Sequence, residues 1–287
     1  KFISDLTGIG YFTALKILDC SENQLTSLDL SKNPELWYLK CFSNQLTSLD
    51  LSNCLKLMYL YCGGNQLTSL DLSNNLELMY LSCYYNQFTT LEVSNFPKLE
   101  YLSCFSNHQL ISLEVSNCPK LEDLDCDLCS QLTSLTVSTN LELSNLNCYS
   151  CQLSSLDLSN CPKLSQINCH SNLLSDEAMF AIVTNLPDRS ETTFGRIYAI
   201  DFTSGTEGNV CTTSSVDVAR AINWDVYACY TGSGWVQYEC SEPTQTGLNE
   251  IDAAKMGNGI RYNLMGQPVG NDYKGIVIEN GQKIIVK

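Results

Sequence analysis

The sequence predicts a repeat solenoid with one long, regular face. The motif Leu-x-x-Leu-x-Cys-x-x-Asn-Gln-Leu-Thr-Ser-Leu-Asp-Leu recurs every 21 residues, or 22 where one residue is inserted. Because self-similarity at such a period is typical of solenoids, we expect each unit to pack mainly on its two neighbours. Ile3, Leu6 and Ile9 fit the second half of another unit, whose strand would lie upstream. The complete copies begin at Leu15, Leu36, Leu57, Leu78, Leu99, Leu121 and Leu143, and a partial copy begins at Leu164.

The first half of each unit predicts a short strand followed by a tight turn. In the copy that begins at Leu36, Leu39 and Cys41 alternate with Lys40, which is the period of a strand with one buried face. Asn44 follows three residues after the cysteine, and an inward amide at this turn is expected to bond the backbone of the next coil. The equivalent residues, which would complete an amide ladder, are Asn23, Asn65, Asn86, Asn107 and Asn172.

The second half of each unit predicts extended structure and turns rather than a full helix. Leu49 and Leu51 flank Asp50, which gives a second short alternating segment on the opposite side of the coil. These residues resemble the leucine-rich repeat, Leu-x-x-Leu-x-Leu-x-x-Asn/Cys-x-Leu, with cysteine at the third leucine position. The resemblance covers roughly residues 1–175. It implies a right-handed curved coil with a parallel sheet on its concave side.

Most of the 16 cysteines hold fixed positions in the repeat. Because a free cysteine packs as a small apolar residue, we interpret these as structural. Three cysteines outside the repeats, Cys211, Cys229 and Cys240, leave open which pair of them, if any, forms a disulfide. A back-turn position is shared by Cys54, Cys118, Cys161, Asn33 and Asn75. One core position is held by Cys20, Cys41, Cys62, Cys83, Cys104, Cys126, Cys148 and Cys169.

A zinc-ribbon spacing occurs within the repeats. Cys126-x-x-Cys129 and Cys148-x-x-Cys151 match the ligand spacing of such sites. In register with the repeat, however, Cys126 and Cys148 belong to the core position, and Cys129 and Cys151 replace the asparagine of the ladder. The spacing is therefore the repeat length itself, and we expect no metal and no cofactor.

The variable positions in and beside each strand predict which side chains the concave face displays. Repeats two to five carry aromatic residues, repeat six is acidic, and the last repeats turn polar with Asn145, Asn147, Gln166, Asn168 and His170. Exposed, contiguous aromatic residues are typical of partner-binding surfaces. The candidate binding residues are Trp37, Tyr38, Phe42, Tyr59, Tyr61, Tyr80, Tyr84, Tyr85, Tyr101, Phe105, Glu122, Asp123, Asp125, Asp127 and Tyr149.

We therefore expect a secreted or surface-displayed binding protein whose partner is a protein or peptide. Alternatives on the same face are a glycan, which aromatic side chains also stack on, and self-association, although a monomer is the expected state. The same rings could instead stabilise the sheet, since cross-strand aromatic pairs contribute about 0.2–1 kcal/mol each.

Charge and motif content argue against several other functions. The chain has 31 acidic and 16 basic residues and a net charge of −15, which disfavours nucleic acid and anionic lipid. It has no apolar run long enough to span a membrane. It lacks nucleophile-elbow, phosphate-loop and metalloprotease motifs. His108 is an inserted turn residue, and Asp123, Asp125 and Asp127 are expected to project from an open face. We therefore expect no enzymatic activity.

Beyond the repeats the sequence predicts a divergent α/β capping region. Ser175 begins a helix that Pro187 terminates, and a second helix runs from Ser214 or Ser215 to Ile222. Strands are expected at 197–200 and 224–230. We assign residues 1–172 to the repeats and 173–242 to this region. Its segments Leu-Pro-Asp-Arg, Ile-Tyr-Ala-Ile and Ala-Ile-Asn-Trp-Asp-Val resemble the end segments of surface leucine-rich repeat proteins from Bacteroides-group bacteria.

The tail from 248 to 287 predicts a separate β domain. Glu279-Asn280-Gly281-Gln282 lies between two alternating apolar segments, which indicates a hairpin. The pattern Lys-Gly-Ile-x-Ile-x-Asn-Gly-x-Lys at the end of the chain resembles the C-terminal sorting module of the type IX secretion system. The resemblance implies a small β-sandwich and an extracellular location associated with the bacterial outer membrane.

Overall fold

The structure is a computed structural model. It describes residues 2–137 and 139–238 and the strands Arg261–Asn263, Pro268–Val269, Gly275–Glu279 and Gln282–Val286. The chain divides into two compact units, Lys1–Cys240 and Ser241–Lys287.

The first unit is a solenoid in which each repeat contributes one short strand to an 11-stranded sheet. All the repeat strands pair in parallel and in register, so that equivalent residues of successive coils lie side by side. The repeat strands are β1 Ile17–Asp19, β2 Tyr38–Lys40, β3 Tyr59–Tyr61, β4 Tyr80–Ser82, β5 Tyr101–Ser103, β7 Asp123–Asp125, β9 Asn145–Asn147 and β10 Gln166–Asn168.

The leucine and cysteine positions of the motif form one continuous core. Leu36, Leu39 and Cys41 are completely buried, and their equivalents in the five later full repeats are at most 1% exposed. In the first repeat Leu15 and Leu18 are only partly buried. Burying a leucine side chain contributes roughly 1.5–3 kcal/mol, so the regular leucine column is what holds coil to coil. Among the described residues, the opposite side of the solenoid has little strand pairing. The exceptions are β6 Ser112–Glu114 and β8 Ser134–Thr136, which pair with each other, and a single bridge between Glu92 and Glu114.

The predicted ladder is present, but each amide bonds its own coil and the preceding one rather than the next. Asn44 Nδ2 donates to the carbonyls of Cys20 (3.0 Å) and Cys41 (3.1 Å), and its Oδ1 accepts from the N–H of Leu25 (3.0 Å). The side chain thus pairs two buried carbonyl groups and one buried N–H. Each of these groups would cost about 1–3 kcal/mol of folding free energy if it had no hydrogen-bond partner. We call the ladder residue of each coil its rung.

The two inserted residues explain the two cysteine rungs. In four of the five 21-residue coils a leucine N–H needs an acceptor, and the next asparagine rung supplies Oδ1, as Asn172 does for Leu153 (2.9 Å). In the fourth coil Asn107 Oδ1 accepts from the Asn86 N–H instead (3.2 Å). In the fifth coil the insertion of His108 adds a turn in which the Leu110 N–H bonds the Asn107 carbonyl (3.0 Å). The next rung then needs only a donor, and Cys129 Sγ donates to the Cys104 carbonyl (3.5 Å).

The sixth coil repeats this relationship. The N–H of Leu132 bonds the Cys129 carbonyl (2.8 Å), and the following rung is again a cysteine, Cys151, whose Sγ donates to the Cys126 carbonyl (3.4 Å). The shared back-turn position follows the same logic. There the oxygen atoms Asn33 Oδ1 and Asn75 Oδ1 have no partner, so only a donor is needed and cysteine substitutes freely.

Two α/β units extend the sheet after the repeats. Helix α1 spans Asp176–Thr184 with Ser175 as its predicted N-cap, since the Ser175 hydroxyl accepts from the Ala178 N–H (3.2 Å). Helix α2 spans Thr213–Ala221. Strands β11 Gly195–Asp201 and β12 Trp224–Tyr230 continue the parallel sheet, as expected. The chain then reverses into β13 Gly234–Gln237, an antiparallel strand that we did not predict.

In the second unit the described residues form a four-stranded antiparallel sheet. Its strands are β14 Arg261–Asn263, β15 Pro268–Val269, β16 Gly275–Glu279 and β17 Gln282–Val286, in the order β15-β14-β16-β17. Glu279 pairs with Gln282, which confirms the predicted hairpin. The remainder of the expected β-sandwich, and Cys240, lie outside the described residues. Among the described helices, none has the length and apolar character needed to cross a membrane.

Candidate functional site

The outward side of the long sheet displays three rows of side chains, which we call the sheet face. In each strand the central leucine points into the core, so the residues before and after it point outward, as Tyr38 and Lys40 do around Leu39. The third row is formed by the residue that lies two positions after the last residue of each strand. The register places Tyr101 beside Asp123 and Ser103 beside Asp125.

Five tyrosines on β2 to β5 form a contiguous tyrosine array. Tyr80 and Tyr101 stack nearly parallel, with ring centroids 4.2 Å apart and an interplanar angle of 5°. Tyr61 packs on Tyr80 at 4.9 Å and on Tyr38 at 5.6 Å, and Tyr59 lies 5.8 Å from Tyr38. The rings remain partly exposed. Desolvation and a hydrogen bond with Tyr101 raise the pKa of Tyr80, so this side chain stays neutral under ordinary conditions.

Other predicted aromatic residues border the array. Trp37 contacts Tyr38 and Tyr59 edge-on at 5.7 and 5.9 Å. In the third row, Tyr84 stacks on Phe105 at 4.7 Å, and Tyr85 meets Phe105 at 77°. Phe42 belongs to the same row but has no aromatic partner among the described residues, because Gly63 separates it from Tyr84.

The acidic residues are less exposed than the sequence led us to expect. Asp127 does not project from an open face; it is only 5% exposed, because Phe105 and Tyr149 hold the equivalent positions on the coils either side of it. Asn147 Nδ2 donates to Asp125 Oδ1 (3.1 Å) and Asp127 Oδ2 (2.5 Å). Asp123 is partly exposed and accepts from the side chain of the neighbouring asparagine on β9, and Glu122 is exposed at the edge of this zone.

This crowding changes the protonation of the acidic pair. Burial and then repulsion from Asp125 raise the pKa of Asp127 to about 8, and burial also raises the pKa of Asp125. Near neutral pH the two hydrogen-bonded carboxyl groups therefore share one proton. A raised pKa is a feature of glycosidase acids, but those carboxyl groups stand at least about 5 Å apart, whereas this pair is in direct contact.

A second aromatic cluster, of which only Tyr149 was among the predicted binding residues, continues the sheet face beyond the acidic zone. Tyr149 stacks on His170 at 4.7 Å, and Trp235 from β13 covers His170 at 4.9 Å. Tyr198 and Tyr227 stack on the next two strands at 5.1 Å. His170 is consequently buried rather than part of a polar surface, and desolvation lowers its pKa to about 4.

The remaining histidine and the four cysteines with zinc-ribbon spacing occupy turn, core and ladder positions. His108 is exposed in its turn, as predicted. Cys126 and Cys148 are completely buried, and Cys129 and Cys151 donate to carbonyls as rungs. Within the part of the chain that the structure describes, no group of three or more His, Cys, Asp or Glu side chains is arranged to hold a metal ion.

These features define a leucine-rich repeat solenoid. It is similar to the leucine-rich repeat domain of APL1B, with a TM-score of 0.61 and 20% identity over 73% of this chain and 60% of that one. It is also similar to the plant peptide hormone receptor RGFR1 in complex with RGF2, with a TM-score of 0.51 and 18% identity over 77% of this chain and 41% of that one. The chain thus spans about three fifths of the first neighbour and less than half of the second. No family model and no curated protein sequence matches it.

Proposed function

We propose that this chain is a binding protein that captures a protein or peptide on its sheet face. The observation that carries the proposal is the tyrosine array, whose rings are held in fixed positions by mutual stacking and yet remain partly exposed. Rings ordered before binding lose little conformational entropy when a partner covers them, which favours affinity. One structural neighbour is the plant peptide hormone receptor RGFR1 in complex with RGF2.

A glycan is the second candidate, and the ring geometry disfavours it at the centre of the array. Sugars stack on open ring faces, but Tyr80 and Tyr101 cover one face of each other at 4.2 Å. Open faces remain at the border, where Tyr85 is 52% exposed. Self-association through the same face is the third candidate.

The test uses peptides selected from a random display library on the intact chain, so that the probe is defined. We expect the array variant Tyr59→Ala/Tyr80→Ala/Tyr84→Ala, which removes two rings of the array and one ring on its border, to abolish their binding. Each lost ring removes contact area and leaves its neighbours less ordered. The matched control replaces three exposed rings outside the array, Tyr11, Phe12 and Phe180, by alanine and should bind normally. Circular dichroism and thermal melting check that both variants fold.

Three outcomes would count against this function. Equal binding by the array variant and its control would make the array structural. Retention on a glycan array without peptide selection would favour the carbohydrate alternative. A dimer in analytical ultracentrifugation that the array variant abolishes would favour self-association.

We also propose a secreted or bacterial-surface location with residues 248–287 as a sorting module. This rests on the resemblance of the tail alone. Fusing that segment to a reporter in a bacterium that has the type IX system should direct the reporter to the surface, and a reporter that stays inside the cell would refute the assignment.

A further inference from the structure

The tyrosine array meets the acidic zone between β5 and β7, and we call this boundary the junction. Tyr101 and Asp123 are neighbours in register, and the N–H of Ser106 bonds the Asp127 carbonyl (2.9 Å), which aligns the third row as well. A ring and a carboxylate therefore stand side by side on adjacent strands, about 4.8 Å apart. That separation fits one flat cationic group, which can lie on the ring while it bonds the carboxylate.

The junction carboxylates have no cation of their own. The sequence places no Lys or Arg at positions 79–84, 100–105, 122–127 or 144–149, which form this part of the sheet face. Among the described residues, the ion pairs lie along the coil edge, as Lys56–Glu35 and Lys98–Glu77 do, and none involves the junction. The groups that face Asp125 and Asp127 are the neutral Ser103, Asn147 and Tyr149.

The junction also contains buried hydrogen-bond acceptors without partners. Asn147 bonds both carboxylates through its nitrogen, and its Oδ1 is left unpaired although it is buried from solvent. The Ser106 side chain is 2% exposed, and its hydroxyl oxygen is also without a partner. An unpaired buried acceptor costs about 1–3 kcal/mol. A guanidinium has five donors and no acceptor, so it can bond the junction carboxylates without adding an unpaired acceptor.

The sheet face already binds one cation in this manner. Lys40 Nζ lies 5.6 Å from the Tyr38 ring centroid and 5.2 Å from that of Tyr61. A hydrogen bond and then a charge interaction with the Tyr38 side chain raise the pKa of Lys40. An incoming arginine would meet the same kind of ring surface at Tyr101, with the addition of carboxylates.

We propose that the junction receives arginine side chains of the partner, so that the captured segment is an extended basic peptide. This deepens the proposed function, on which it rests, by giving the chemistry of the occupant of the same face. Binding would be accompanied by proton release, since a guanidinium beside Asp125 and Asp127 favours the ionised form of both carboxyl groups.

The probe is a labelled peptide of alternating arginine and serine, titrated into the intact chain. Its control is the same peptide with citrulline in place of arginine, which has nearly the same shape but no charge. The junction variant is Asp123→Asn/Asp125→Asn, which keeps side-chain size. The matched variant Glu92→Gln/Glu114→Gln makes the same number of acid-to-amide changes at exposed positions on the back of the solenoid.

We expect the arginine peptide to bind at least about tenfold more tightly than the citrulline peptide, and the junction variant to lose about that factor while the matched variant keeps its affinity. Calorimetry in phosphate and in Tris should show proton release in the wild-type chain. Thermal melts confirm that the variants fold, and the proton-release measurement needs no variant.

Several results would overturn the inference. Equal affinity for the two peptides, or equal weakening in both variants, would leave only non-specific attraction to an acidic protein. A calcium chloride response that depends on Asp125, without arginine binding, would make the junction a metal site. None of these outcomes bears on whether the array variant still binds the peptides selected from the library, so the proposed function is tested separately.

Discussion

The ring of Tyr84 lies directly over Gly63. A Cβ atom added to Gly63 would come within 2.7 Å of Tyr84 Cε1, closer than any real contact allows. Tyr84 cannot move away freely, because it stacks on Phe105 at 4.7 Å. The absence of a side chain at Gly63 therefore fixes the position of the third row of the sheet face.

We predict that Gly63→Ala destabilises the fold by about 1–3 kcal/mol, the usual cost of overpacking. In a chain that also has Tyr84→Ala the same change should cost much less, because the clash is gone. Urea denaturation measures both effects. Gly205→Ala is the control, since an added Cβ there meets no atom within 4 Å, and equal losses at Gly63 and Gly205 would contradict the argument.

Because each inserted residue occurs together with a cysteine rung, we predict that changing both has a non-additive effect on the free energy of unfolding. Deleting His108 should leave the Leu110 N–H without an acceptor and cost about 1–3 kcal/mol. Adding Cys129→Asn should recover at least about 1 kcal/mol, because the new amide oxygen accepts from that N–H. In Cys129→Asn alone the new amide oxygen gains no donor, because the leucine N–H is already bonded within its own turn. Unfolding free energies of the four chains give the coupling, and strict additivity would refute the relationship.

The acidic pair predicts a decline in stability as pH rises. The folded-state pKa of Asp127, about 8, lies above its ordinary value of 3.8, so between these values the folded chain binds a proton that the unfolded chain has lost. This contribution is fully present below about pH 4 and is lost as pH approaches 8. Asp127→Asn should flatten the melting temperature between pH 5 and 9, whereas Glu114→Gln should not. A wild-type slope retained in Asp127→Asn would show that another group titrates.

The four cysteines with zinc-ribbon spacing predict no dependence on zinc. Cys129 and Cys151 use their thiols in the ladder, and burial raises the pKa of Cys126 and Cys148, which disfavours the thiolate that zinc requires. We expect elemental analysis to find no stoichiometric zinc and a chelator to leave the melting temperature unchanged. Stoichiometric metal that disappears in Cys129→Ser would reverse this interpretation.

The repeat architecture was accessible from sequence because each element depends on local spacing. The leucine positions located every repeat strand, Ser175 identified the cap of α1, and the predicted strand 224–230 coincides with β12. Strand β13 was missed although its turn contains Gly232 and Gly234, both with positive φ. Two glycines allow a reversal, but the sequence did not specify that the strand would fold back onto β12.

The site was predicted less completely because its properties depend on neighbouring coils. Alternation placed the tyrosines on one face, but not the stacking of Tyr80 on Tyr101. The burial of Asp127 arises from residues one repeat away on each side, and that of His170 from Trp235 on the unpredicted strand. Whether any of these residues contacts a partner stays a prediction.

The cysteine rungs also affect how the solenoid comes apart. The sixth coil is joined to both neighbours by thiols, which are weaker donors than amides and accept no N–H in return. In a linear stack that is held by nearest-neighbour coupling, local opening starts where coupling is weakest. That coil bears Asp123, Asp125 and Asp127. A partner that spans the sheet face would therefore hold the sixth coil to its two neighbours and suppress their separation. It would slow the hydrogen exchange of backbone amides that the partner itself does not contact.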